Sequence, residues 1–278
     1  DERLTRGEAA PVQVLIDGTF PERTQTSMGY VAAFNSAVSL ERMAQALSRV
    51  RGIPLAEARQ RVQPVKLEVR YLYNQSVQSI WSLAPKLIML IMMLSPPFLT
   101  AVGVVREKES GSIFNIYSST VSAGEFLLGK LAPYVAISIA NAMFLWLLAT
   151  TLFGAPFKGD PLFFAFATVL YVICTTGIGL VISTLVQTQV AAMIVASIVS
   201  IIPAVLYSGV LLPLPSLSPA ASVLAHALPP MYYTNIVVGC FLKAVSWHAL
   251  WLEVAVLAAY AVGLFGLGYL LFSKRPAS

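Results

Sequence analysis

The 278-residue sequence predicts a mainly α-helical, polytopic membrane protein with five spans, preceded by a small α/β domain. Three observations predict it. Residues 84–104 carry one charge, Lys86, and break off at Arg106-Glu107-Lys108-Glu109, and about 20 apolar residues are what a helix needs to cross hydrocarbon. Four more long apolar stretches follow before Ser278. Charge is also scarce and uneven. It amounts to 11% of the chain, against about 25% in soluble domains. Residues 1–80 hold ten of the 18 Lys+Arg and eight of the 13 Asp+Glu.

The amino-terminal region, residues 1–80, is expected to fold as the α/β domain. Val12-Gln13-Val14-Leu15-Ile16 reads as a strand ended by Asp17-Gly18, a turn pair. Residues 24–50 suit a helix, with apolar positions at Val31, Phe34, Val38, Met43, Leu47 and Val50, and Gly52 and Pro54 end it. Leu55 to Arg61 adds another turn or two. Residues 65–73 alternate, with Leu67, Val69, Tyr71 and Tyr73 set against Lys66, Glu68 and Arg70, and read as a second strand. Residues 74–82 lead into the first span. The chain begins at Asp1, without a signal-like apolar run in the first eighty residues, and an upstream span or leader is expected.

Residues 81–278 form the membrane portion. Its candidate spans are 83–105, 127–153, 162–185, 190–211 and 252–272. Val186-Gln187-Thr188-Gln189 is a tight polar hinge, so spans three and four should form an antiparallel pair. Gly177 and Gly179 permit close helix approach. Pro96-Pro97, Pro133 and Pro203 should bend or open their helices.

Orientation follows from the Lys/Arg bias. Arg106, Lys108, Lys130, Lys274 and Arg275 collect on one side, which is therefore the cytoplasmic one, and Lys158 and Lys243 lie opposite. Residues 1–80 then fall outside the cytoplasm. Their ten basic residues do not forbid this, because folded domains translocate largely regardless of charge.

Several chemistries find no support. From residue 161 to 242 there is no Asp, Glu, Lys or Arg, whereas ion-coupled carriers and channels depend on ionisable groups or dense polar rings at membrane depth. Two cysteines, Cys174 and Cys240, outside any C-x-x-C, and two histidines, His226 and His248, give neither a metal site nor a disulfide framework. The net charge of +5 is dispersed rather than gathered into a nucleic-acid-binding stripe. Hydroxyls such as Thr100, Ser197, Ser200 and Ser208 admit two readings, helix–helix hydrogen bonding or the lining of a path for a lipophilic molecule.

Two segments are more specific. Residues 106–117 begin with charge (Arg106, Glu107, Lys108, Glu109), pass a small-residue break at Gly111, and continue with Ile113, Phe114, Ile116 and Tyr117. This suits a helix lying along the interface, either as a snorkelling anchor or as a dock for a soluble partner. Residues 212–236, with Pro213, Pro215, Pro219, Pro229 and Pro230, read as a broken, half-inserted external element. Tyr232, Tyr233, Trp247 and Trp251 would form an aromatic belt there.

With these pieces assembled, the chain resembles the membrane subunit of an ATP-binding cassette (ABC) transporter of the ABC-2 type, in the bacterial multidrug-exporter branch. It is also similar to the permease-like part of ribosome-associated ATPase fusions. The matching pieces are VQVLIDGT (12–19), EVRYLYN (68–74), VVREKESG (104–111), EFLLGKLAPY (125–134), FGAPFKG (153–159) and GIGLVIST (177–184).

The resemblance implies a six-span half-permease with a large external domain between spans one and two, so that span one would precede this sequence. It implies a multi-pass protein of the bacterial inner membrane with residues 1–80 periplasmic. It maps 106–117 to a cytosolic coupling helix and 212–236 to external re-entrant helices. Partners would be ABC ATPase subunits or fused ATPase domains, a second permease half in a homo- or heterodimer, membrane lipids and a periplasmic adaptor. ATP and Mg2+ would bind the ATPase, because the chain has no G-x-x-x-x-G-K-[ST] loop. The implied function is ATP-driven export of a lipophilic or amphipathic substrate, with Arg106, Glu107, Lys108, Glu109, Gly111, Ile113, Phe114 and Tyr117 coupling to the ATPase. Thr100, Ser197, Ser200 and Ser208 would line the path. The alternative is a non-transporting module that tethers an ATPase to the membrane.

Overall fold

The computed structural model describes residues 21–62, 78–111, 122–211 and 214–271. The chain divides into two compact units, Asp1–Arg70 and Tyr71–Ser278.

In the first unit, α1 (Pro21–Arg51) is followed by α2 (Leu55–Val62). Arg49 and Arg51 stand in the last turn of α1, where cations complement the helix dipole. The Ser48 hydroxyl donates to the Ile53 carbonyl at 2.7 Å, fastening the turn. α2 folds back so that Arg59 grips Glu41 with two parallel bonds of 2.9 and 2.7 Å. Ala44 and Ala58 are buried. Phe34, Met43 and Val50 are exposed although their spacing marks an apolar face.

The structure overturns the expected α/β domain. Among the described residues there is no strand, and the described part of the first unit is two helices. The fold is mainly α-helical, with five long apolar helices. The two strands predicted over 12–16 and 65–73 lie outside the described residues. Alternation over five to nine residues is a weak signal on its own, and a sheet needs partner strands that no described segment supplies.

In the second unit those five helices are α3 (Ser79–Glu109), α4 (Ala123–Thr151), α5 (Pro161–Leu185), α6 (Gln189–Leu206) and α9 (Trp247–Leu271). Each is long and apolar enough to cross a membrane. Local chemistry starts them where the sequence carries cap residues. Ser122 and Glu125 form a reciprocal capping box at α4, Asp160 caps α5 just before Pro161, and Thr188 caps α6.

α3 and α5 are central, with 56% and 61% of their most apolar windows buried, against about a fifth for the other three. α3 packs on α5, α6 and α4, and α5 packs on α9. Met89, Met92 and Met93 of α3 are fully buried, the adaptable filling expected where a helix meets several neighbours. α3 is one helix through Pro85, Pro96 and Pro97.

A methyl group added at Gly179 of α5 would lie 2.5 Å from the Pro97 carbonyl oxygen and 2.8 Å from its Cα. The two backbones therefore meet there without a side chain between them. The polar hinge before α6 is present, yet α6 lies mainly on α3 rather than α5. Ala192 and Ala196 of α6 pack with Ala101 and Val105 of α3.

Beyond α6 the chain turns through Tyr207–Leu211 and a 3-10 turn (Leu214–Ser216). It then forms two short helices, α7 (Pro219–His226) and α8 (Pro229–Val238), and a π turn (Gly239–Lys243). α8 packs into the core against α3, α5 and α9. Tyr233 is fully buried, stacked on Tyr171 with ring centroids 4.0 Å apart and hydrogen-bonded to Thr168 at 2.9 Å. It is thus a core residue rather than part of a surface belt, whereas Trp247 and Trp251 are exposed. The amides of Lys158 and Gly159 both donate to the Cys240 carbonyl, at 3.0 and 2.7 Å.

Candidate functional site

The charged end of α3 is where the second unit concentrates its ionic contacts. Consecutive residues of a helix point about 100° apart, so Glu107, Lys108 and Glu109 aim in three directions. The Glu107 carboxylate meets Lys130 of α4 at 2.5 Å, both side chains about three-quarters buried. Lys108 donates to the Ser183 carbonyl in the last turn of α5, where helix carbonyls are left over and favour a cation. Glu109 accepts from the Gln189 amide at 3.0 Å and from its side chain at 2.9 Å, placing a carboxylate on the first turn of α6. Three successive side chains therefore fasten α3 to α4, α5 and α6.

Arg106 differs. Its side chain is exposed and has no ion-pair partner among the described residues. It rims a cleft of about 530 Å³ whose walls include Phe98, Leu99 and Val102 of α3, Lys130 and Tyr134 of α4, and Gln189 of α6. Gly111 ends α3 at φ +76°, the left-handed closure for which glycine is favoured. Of the predicted coupling residues, Ile113, Phe114 and Tyr117 lie outside the described residues.

The four path candidates do not converge on this cleft. Thr100 is buried on α3, with its Cβ beside Gly179 of α5. Ser200 is buried on α6, and Ser197 of the same helix is half-buried. Ser208, also buried, donates to the Ala204 carbonyl in the turn that follows α6. The hydroxyls of Thr100 and Ser200 have no hydrogen-bond partner among the described residues. Thr176 of α5, another buried hydroxyl without a partner, joins them. Its position one turn before Gly179 on α5 is the sequence signal for it. No described group of three His, Cys, Asp or Glu side chains is placed to hold a metal ion.

A model described as ABC-2 family transporter protein matches residues 1–270. The chain belongs to this family.

Among curated relatives, this ABC-2 protein is 27% identical over 276 residues to the probable multidrug ABC transporter permease YbhS of Escherichia coli K12. That alignment covers 99% of this chain and 70% of YbhS. It is 26% identical over 253 residues to the probable multidrug ABC transporter permease YbhR of the same strain, covering 90% of this chain and 65% of YbhR. The inner membrane transport permease YhhJ, also of that strain, is 20% identical over 271 residues, which is 96% of this chain and 69% of YhhJ. No solved structure matches.

As a member of the ABC-2 family the chain is a permease-type transport component, and its sequence holds no G-x-x-x-x-G-K-[ST] loop. Its nearest approach to a phosphate-binding loop runs from Gly124 to Lys130, but Leu131 follows instead of Ser or Thr. That stretch is also wound into α4.

Proposed function

We propose that the chain is the transmembrane subunit of an ATP-driven exporter that moves a lipophilic or amphipathic substrate, drug-like or lipid-like, out of the cytoplasm or the inner leaflet. The observation that carries this reading is the junction at the end of α3. A partner pressing on the 106–117 element would load three helices at once, through Glu107, Lys108 and Glu109. Two ABC ATPases, or ATPase domains fused to the permease, bind ATP and Mg2+ and close on the 106–117 element at Gly111, Ile113, Phe114 and Tyr117. A second permease half, identical or different, completes the path. That path runs between the two copies of α3 and α6 and is lined by Thr100, Ser197, Ser200 and Ser208. Buried hydroxyls without partners are costly in hydrocarbon, which suits groups that meet water or substrate in another state. Coupling requires that the two states differ in contacts at both sites.

The protein sits in the bacterial inner membrane, with the charged end of α3 in the cytoplasm and residues 1–80 in the periplasm, where an adaptor protein receives substrate. The relatives' names and the Lys/Arg bias support this placement. The domain boundary near residue 80 and the re-entrant character of 212–236 belong to the same proposal. α7 and α8, each too short to span, support it.

The test is ATP hydrolysis by the complex reconstituted in lipid, with and without amphiphiles. Glu107→Ala/Glu109→Ala is expected to lower ligand-stimulated turnover about fivefold, the size of an ordinary coupling factor, with assembly intact. The charge exchange Glu107→Lys/Lys130→Glu should restore part of it. Turnover indifferent to ligand and to substitution would instead favour a module that tethers an ATPase without transport.

A further inference from the structure

We propose that the cleft beside Arg106 is a binding site for one anionic phospholipid, its phosphate at the Arg106 guanidinium and an acyl chain along Phe98 and Val102. Phe98, Val102 and Arg106 follow one another at four-residue intervals on α3, so they form a single stripe, apolar below and cationic about 12 Å further along the axis. The opposite wall repeats that order. Lys130 stands at the mouth, and Tyr134, one turn deeper on α4, covers Gly103, where an added methyl group would collide with the phenol.

Charge chooses the occupant. Lys130 is neutralised by Glu107, and Arg106 is left as the net positive charge of the rim. A cleft of about 530 Å³ open to a bilayer fills with lipid rather than staying empty, since an unfilled wall forfeits its dispersion contacts. A zwitterionic lipid also offers Arg106 a phosphate, but it brings its own ammonium to the rim and leaves the net positive charge there uncompensated. An anionic one satisfies the apolar floor and the charge, with a charge-assisted bond to the guanidinium. The cytoplasmic leaflet is where anionic lipid is met by basic residues at span ends. This last step rests on the proposed orientation.

The test uses the full-length permease purified into nanodiscs of phosphatidylcholine with one quarter phosphatidylglycerol, with lipid retained on the protein counted by native mass spectrometry. Phosphatidylglycerol is expected to be enriched over the disc composition. Arg106→Gln should cut the enrichment about fivefold, and Val102→Trp, which fills the floor and keeps the charge, should cut it similarly. Lys158→Gln, outside the cleft, should leave it unchanged.

Glycerophosphoglycerol, the same headgroup without chains, should not displace the lipid at millimolar concentration. No enrichment, enrichment that survives both cleft variants, or displacement by the bare headgroup would overturn the proposal. The lipid count does not depend on sidedness. Labelling of Ser110→Cys from either face of sealed vesicles reports sidedness separately, so a failed orientation and a failed site are told apart.

Discussion

The Glu41–Arg59 pair in the first unit makes a pH prediction from its geometry. Two bonds from the guanidinium hold the Glu41 carboxyl below its ordinary range, and the same contact raises Arg59. A depressed acid contributes stability that is complete above its unfolded value and lost as pH falls through its folded one. Protection of the 21–62 amides against hydrogen exchange, corrected for intrinsic rates in the whole protein, should therefore hold down to about 4.5, the ordinary value, and decline below it. Arg59→Gln should remove that acid-side decline. Gly111 gives a second residue-level prediction. Its positive φ costs a non-glycine residue about 1 kcal/mol or more, so Gly111→Ala should redirect the chain leaving α3 and reduce ligand-stimulated turnover. Gly111→Asn, which tolerates that conformation, should retain most of it. The carboxylates and lysine at 107–109 were visible in the sequence as a cluster, but their separate destinations were not. Those depend on where the ends of α4, α5 and α6 fall relative to one turn of α3, which no local pattern encodes.

Among the helices, the contact between α3 and α5 is the least forgiving. At Gly179 the neighbour is backbone, which cannot rotate aside, so Gly179→Ala must push the two central helices apart. Overpacking of this kind costs about 1–3 kcal/mol, and the thermal midpoint of the purified permease should fall accordingly. Gly129→Ala, with open space around it, should not lower it. The spans were legible to within a few residues because apolar length and cap residues are local properties. The cap pair Ser122–Glu125 was also available as an S-x-x-E spacing. The choice of α3 as the partner of α6 was less accessible, although both helices carry small residues at the contact, Ala101 against Ala192 and Ala196. The interior position of Tyr233 was hidden as well. Aromatic residues near a span end usually suggest an interfacial belt, and only the stack on Tyr171 reveals the inward turn of α8. The sheet expected at the start of the chain shows the converse, since short alternation specifies a strand only where partner strands exist to pair with it.

At the scale of the whole molecule, the central expectation is sidedness. Cys174 and Cys240 are buried, so a membrane-impermeant thiol reagent should find little native background. Ser110→Cys should react only from the cytoplasmic face, and Ser218→Cys, exposed at the cap of α7, only from the other. Reaction of both from one face would refute the proposed topology. The apolar surface left on α4 and α6, including Met143, Phe144, Val190 and Ile198, is larger than water would tolerate and needs lipid or a second half to cover it. The two amides that converge on the Cys240 carbonyl have a wider bearing. They tie the loop between α4 and α5 to the turn that introduces α9, so these three helices share one knot at the end away from Arg106. A rearrangement that splays them must either carry the knot as a rigid body or break both bonds where little water waits to replace them. Under the proposed export mechanism and orientation, alternating exposure would resemble a pair of tongs hinged at that knot, with its handles in the cytoplasm.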